Sequence, residues 1–382
     1  MSKKEQRNIF YLFLVWLFSL SLIVFLAPFF LTYQASFPYA PELSRYGLPD
    51  LLSKLANFDG VHYLTISEKG YLGTGLIQAF FPLYPLLIKL FNPIFNNYLV
   101  TGLVLSHLFA LTSFYAFYAL VKLDFGQKIA WWSLVFLAFF VSSFYLRSFY
   151  NESLFLTLLL TSFWAGKKRY YWLAGIFGLL LSTTRVVGIF ILPSLWLMIY
   201  LGDRQNYQAY LKVSLSALGL LAYMFYLKWQ FGDFLYFFTL QEQFGASRQS
   251  SLVSYPQVIY RYLKIFYTVR PIDLKYYAYV QEFLLSISSL ALLLLATWQS
   301  WKQKAYQALP YLLFALLAYF LPTLTGNLSS MPRYLLLCFP LFIYLASWLT
   351  RVKPVYRFLY LTISLIFLII NLTLFSQGYW VA

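Results

Sequence analysis

IFYLFLVWLFSLSLIVFLAPFFL, residues 9–31, holds no charged side chain. A helix of roughly 20 apolar residues crosses the hydrocarbon core of a bilayer, so this stretch alone is long enough to span. It is one of a series. Comparable apolar runs recur at 98–121, 130–147, 151–166, 208–230, 276–298, 307–324, 333–350 and 356–376. The 382 residues are 61% hydrophobic, 23% aromatic and only 10% charged, with mean hydropathy +0.68. The interior of a soluble domain of this size is too small to hide that much apolar surface. The chain therefore reads as an all-α polytopic membrane protein. Residues 171–201 form one apolar stretch too long for an ordinary span, with Arg185 near its middle. They read as a hairpin of two short helices with an outer turn over 182–188. The alternative is one tilted helix, which would hold Arg185 at a depth where an unpartnered charge is costly. The expected total is about eleven spans in a single membrane domain over 1–382.

The segment MSKKEQRN precedes an apolar run too long for a signal-peptide core, so it reads as the start of a retained helix. Lys3, Lys4 and Arg7 place that end in the cytoplasm. Short basic clusters mark further inner loops: Lys122 and Lys128; Lys167, Lys168 and Arg169; Lys302 and Lys304; Arg351, Lys353 and Arg357. The net charge of +16 is then a topology signal rather than a nucleic-acid footprint. Two long outer loops remain, about 32–97 and 232–275. The first opens with turn-prone Pro38 and Pro41 and suits short amphipathic helices over 48–57 and 60–69. Its end, 79–92, is apolar but broken by Pro82 and Pro85, which fits an interfacial or re-entrant element. The second loop carries Arg248, Arg261, Lys264, Arg270 and Lys275. Within it 258–269 suits a basic, tyrosine-rich interfacial helix.

Three acids, Glu5, Asp124 and Asp203, fall inside. Glu42, Asp50, Asp59, Glu68, Glu152, Asp233, Glu242, Asp273 and Glu282 fall outside or at outer span ends. A proton-coupled transporter would place carboxylates nearer the midplane. One cysteine, Cys338, excludes a disulfide framework and a zinc motif, and two histidines, His62 and His107, cannot make a histidine-rich metal site. The residues require no cofactor and no metal. A single hard cation at Asp59 and a neighbouring acid is the one arrangement they would permit.

Five short motifs fall on the same expected face. They are Phe58-Asp59-Gly60 with His62-Tyr63; AFFPLYPL over 79–86; Tyr150-Asn151-Glu152-Ser153-Leu154-Phe155; Thr184-Arg185-Val186-Val187-Gly188; and Pro332-Arg333-Tyr334. With Gly70-Tyr71 and Gly232-Asp233, their order and spacing over roughly 57–340 resemble the GPI mannosyltransferase II (PIG-V-type) family and its bacterial relatives. These are membrane glycosyltransferases of the GT-C class. The chain departs at Phe58, where the family usually has Trp, and at Ser67, where it has Ala. It departs again at Val186-Val187, where eukaryotic members tend to Ser-Asn, and at Phe234 in place of Pro.

The resemblance implies a GT-C-like helical bundle that uses a polyprenyl-phosphate sugar donor. The reaction would move a hexose, mannose first, to a lipid- or glycan-linked acceptor outside the cytoplasm, in one inverting displacement. The acceptor hydroxyl must lose a proton as it attacks, and a carboxylate suits that task. The resemblance gives the role to Asp59; the alternative is that Asp59 caps a helix starting near Gly60. Arginine holds phosphate in a fork. Arg333 is the first candidate for the donor phosphate, with Arg185 second and Tyr334 as a hydrogen-bonding neighbour; either arginine could instead be an interfacial positioner. His62, Tyr63, Glu152 and Asp233 are candidates on the sugar or acceptor side. Each has a structural alternative: a hydrogen bond for His62, an ion pair with Arg185 or Arg147 for Glu152, a helix end for Asp233. Two other functions compete. A lipid-linked sugar flippase or transporter would need midplane polar groups, which are sparse. A scaffold would not need polar motifs gathered on one face.

Overall fold

A computed structural model of the chain describes residues 1–37, 39–244, 249, 251–270 and 274–381, apart from the side chains of residues 242 and 244. Pro38, Arg248 and Asp273 therefore lie outside the described residues, as does the side chain of Glu242. The described chain is helical, without strands. Its principal helices are α1 (Lys3–Leu26), α2 (Asp59–Lys69), α3 (Leu83–Phe95), α4 (Tyr98–Phe125) and α5 (Gln127–Ala138). They continue with α6 (Glu152–Lys167), α7 (Tyr171–Ser182), α8 (Ile191–Gly202), α9 (Tyr207–Phe231) and α10 (Tyr255–Thr268). The last five are α11 (Leu274–Lys302), α12 (Leu309–Thr323), α13 (Met331–Leu337), α14 (Pro340–Leu349) and α15 (Pro354–Ser376).

Among the described residues six helices are long and apolar enough to cross a membrane: α1, α4, α9, α11, residues 306–323 and α15. The pair α13 and α14, bent by 78°, raises this to as many as seven. The stretches of the remaining expected spans hold shorter helices, α5 to α8, in the expected order. The stretch 171–201 is broken, as its length and Arg185 required: α7 ends at Ser182 and a 3-10 turn over 186–190 leads into α8. Helices also form where the loop elements were expected, at α2, α3 and α10.

The chain forms two compact units. Unit 1 comprises residues 1–73, 83–160 and 342–381; unit 2 comprises 74–82 and 161–341. In unit 1, α1 buries a single stripe, Ile9, Phe13, Trp16, Leu20 and Val24, at helical spacing. Trp16 and Phe13 pack on Phe114 of α4. The opposite face of α1 exposes Tyr11, Val15, Phe18 and Phe25, an apolar surface suited to lipid.

The expected span 130–147 is interrupted. Helix α5 stops at Ala138, and a 3-10 turn covers Ser143–Leu146. The serine pair Ser142-Ser143 favours such a break, because its hydroxyls compete for backbone groups. The carbonyls released there are satisfied from α15: Ser364 donates to Phe139 O at 2.8 Å and Asn371 to Val141 O at 3.1 Å. Broken helices persist in apolar surroundings only with such partners.

In unit 2, α7 packs on α9, α8 on α12, and α11 on α10, α12 and α13. Phe163 packs edge-on against Tyr311 and Phe314 of α12 and against Phe339.

Candidate functional site

Two groups of the candidate residues assemble, one in each unit. In unit 1 the first group is built on the turn that precedes α2. Phe58 adopts φ 59° and ψ −118°, a conformation rare for a bulky residue. Its ring is held by Phe37 (4.6 Å between centroids), Trp380 (5.5 Å) and Phe375 (5.8 Å). That turn makes Asp59 the first residue of α2. The capping alternative is thereby corrected: Phe58, not Asp59, occupies the N-cap position, and Asp59 lies inside the first turn. A carboxylate there is favoured by the positive end of the helix dipole.

Two other motifs brace this turn. Asn57 donates from Nδ2 to Phe375 O (2.9 Å), and its carbonyl accepts from Tyr150 Oη (2.7 Å). The Phe149 N–H donates to Leu55 O at 2.9 Å. A Cβ on Gly60 would sit 3.1 Å from Ala56 Cβ and 3.4 Å from Phe149 O, so the glycine lets the two backbones approach. Tyr63 is buried, its ring packed edge-on against Tyr84 and Tyr150. Tyr84, from the proline-punctuated block, bonds Gly102 O and Ser106 Oγ of α4. Segments that are distant in sequence thus form one packed body around the start of α2.

His62 is half-buried one turn after Asp59. Burial pushes its imidazole below the usual range, and the charge of Asp59 pulls it back up. Glu152 is fully buried at the first position of α6. Its suggested partner Arg147 is engaged elsewhere, donating to Ser21 Oγ (3.0 Å) and Leu17 O (3.4 Å) of α1. Several acids of the loop before and within α2 serve ion pairs: Glu42 with Arg45, Glu68 with Arg45 at 3.8 Å, and Asp50 with Lys54 at 3.2 Å.

In unit 2 the Thr-Arg and Arg-Tyr motifs meet. The Arg185 guanidinium lies over the Tyr334 ring, 5.0 Å from its centroid. Arg185 is placed by the break after α7. Thr184 closes the helix end by donating to Leu181 O at 2.6 Å. A Cβ on Gly188 would collide with the Leu181 carbonyl, so the motif glycine is what lets the turn fold back on α7. Arg333 sits beside Tyr334 in α13 and is only 4% exposed. Asp233 accepts from Leu235 N (2.8 Å) and Thr239 Oγ1 (3.3 Å), a local turn that follows the end of α9 at Gly232.

Sequence reasoning passed over Glu282, counted only as an acid near a span end. It is 1% exposed in α11, where it accepts from Tyr262 Oη (2.7 Å) and from Ser330 N (3.2 Å). Tyr262 in turn accepts from Leu328 N at 3.1 Å. Ser330, at φ 66°, is the N-cap residue of α13. Arg261 pins the same loop by donating to Gly326 O at 2.9 Å. The signal available in the sequence was a single carboxylate inside an apolar run, which marks function or a buried partner.

No three His, Cys, Asp or Glu side chains among the described residues converge as metal ligands. No family model matches the chain, and no curated protein matches it. Among solved structures it is similar to ArnT from Cupriavidus metallidurans bound to undecaprenyl phosphate. The identity is 14%, the TM-score 0.49, and the match covers 84% of this chain and 61% of that one. The chain thus corresponds to less than two thirds of that protein's length.

Proposed function

We propose that this integral membrane protein is a GT-C-type glycosyltransferase. It moves a hexose, mannose first, from a polyprenyl-phosphate carrier to a lipid- or glycan-linked acceptor on the extracytoplasmic face, with inversion. The observation that carries the reading is the contact of Arg185 with Tyr334. It joins two motifs whose arginines are the candidates for the donor phosphate. An aromatic face beneath a guanidinium stabilises its charge and fixes its plane.

In this reading the acceptor oxygen attacks the anomeric carbon and gives its proton to the Asp59 carboxylate. The bond from that carbon to the phosphate oxygen breaks, and its electron pair leaves on the phosphate. Arg333 and Arg185 are assigned to the donor phosphate, because an arginine fork suits that anion. His62, kept neutral by burial, accepts a hydrogen bond from a sugar hydroxyl. Tyr63 and Glu152 hold the Asp59 turn and the start of α6. Asp233 is assigned to the acceptor side.

Turnover in detergent is the test. Purified protein given polyprenyl-phospho-mannose and a membrane acceptor extract releases polyprenyl phosphate and forms a labelled product. Lipid movement across proteoliposomes with no turnover in detergent would instead establish the flippase.

A further inference from the structure

Unit 2 contains two deeply buried charged side chains among the described residues, Glu282 at 1% and Arg333 at 4% exposure. They are of opposite sign. They stand on helices that pack together, α11 and α13. The Glu282 carboxylate already bonds the backbone N–H of Ser330, and the Arg333 N–H bonds the Ser330 carbonyl at 3.0 Å. One residue therefore links the carboxylate to the first turn that carries the arginine.

The two bonds occupy both carboxylate oxygens, yet a carboxylate buried this deeply still carries a desolvation cost on the order of several kcal/mol. The negative charge at Glu282 calls for a buried positive partner, and α13 offers one. We propose that Glu282 is the resident counter-charge of Arg333. It orients the guanidinium while no donor is bound, and it competes with the donor phosphate for it. Glu282 is thus a positioning residue that sets how tightly the phosphate is held and how readily the polyprenyl phosphate product leaves. This rests on the reading of Arg333 as the phosphate ligand.

The test is a double-mutant cycle on the full-length protein in detergent, with Glu282→Gln, Arg333→Gln and the double variant. Tyr262→Phe serves as a control that disturbs the turn without changing charge. Thermal stability is read with and without undecaprenyl phosphate. Single variants are expected to lose stability, because each leaves one buried charge without its partner, and the double variant to recover much of it. Undecaprenyl phosphate is expected to bind Glu282→Gln about tenfold more tightly than wild type, with kcat and KM falling together as product release slows. A merely structural role would raise KM instead, as expected of Tyr262→Phe. If either single variant fails to fold while the double variant folds, the pairing is supported. Additive stability losses, or weaker lipid binding by Glu282→Gln, would overturn it. If wild type itself gains no stability from undecaprenyl phosphate, the phosphate-site reading falls first, and the competition inferred here falls with it.

Discussion

Phe58 occupies a backbone conformation that costs a bulky side chain on the order of 1–3 kcal/mol, and three aromatic rings hold it there. Strain of that size directly beside a candidate base is a reason to look for chemistry at Asp59. It also explains why the cap was misplaced by one residue, since nothing in the letters Phe-Asp-Gly announces a positive φ on the phenylalanine. His62 offers a probe of the same turn. Its imidazole is lowered by burial and partly restored by Asp59. We predict that Asp59→Asn lowers the His62 pKa further, as read by NMR of labelled imidazole in a His107→Gln background; a rise would show that the two groups do not interact. The sign for stability follows from the same shift. The folded imidazole binds its proton more weakly than the unfolded one, so its neutral form loses nothing above about pH 6.5. Stability then falls as pH drops below that value, and His62→Gln should flatten this part of the acid limb. At Arg333 the expectation concerns donor affinity. Arg333→Ala should weaken it more than Arg333→Lys, which keeps charge but loses the fork, and both should outweigh Lys264→Ala on the exposed face of α10. Titration with a phosphonate analogue of the donor decides the order, and equal affinity for wild type and Arg333→Ala would remove Arg333 from the site.

At the scale of elements, the apolar runs were legible because length and hydropathy alone decide whether a helix can span. The breaks were legible only where a charge or a proline marked them, as at Arg185 and at Pro82 and Pro85. The interruption after α5 was read as a continuous span, since its stability depends on Ser364 and Asn371, more than 200 positions later in the chain. The bracing of the α2 turn by Phe149 and Tyr150 was hidden for the same reason. The order of motifs suggested that these segments belong together, but not which atoms touch. Glu282 was underread because a lone acid near a span end looks like a topology marker until its burial is known. One element-scale prediction tests the brace. A Cβ on Gly102 of α4 would overlap the Phe149 ring. Gly102→Ala should therefore destabilise unit 1 by about 1–3 kcal/mol, the usual cost of overpacking, and lower the melting temperature in detergent. Gly102→Ala with Phe149→Leu should recover part of that loss. An unchanged melting temperature for the single variant would mean that the ring has room to move.

On the scale of the whole molecule, six to seven helices among the described residues can span by length and composition, and the basic clusters predict a direction for those spans. The direction is open to a labelling test because the one cysteine, Cys338, is buried and free. In a Cys338→Ala background, a cysteine at Lys69 should react with an impermeant maleimide applied to intact cells, and one at Lys302 should react only after permeabilisation; the opposite pattern would put α2 and Asp59 on the cytoplasmic side. The central claim is that Asp59 takes the proton in a transfer from a lipid phosphate, and one measurement reaches it most directly. Purified wild type and Asp59→Asn are compared for release of polyprenyl phosphate from polyprenyl-phospho-mannose, with donor binding measured on the same samples. The account predicts that Asp59→Asn binds donor as wild type does but turns it over 10²- to 10⁴-fold more slowly, the usual loss when a general base is removed. A variant that retains more than about half the wild-type rate, where removal of a base should cost at least a hundredfold, would contradict it.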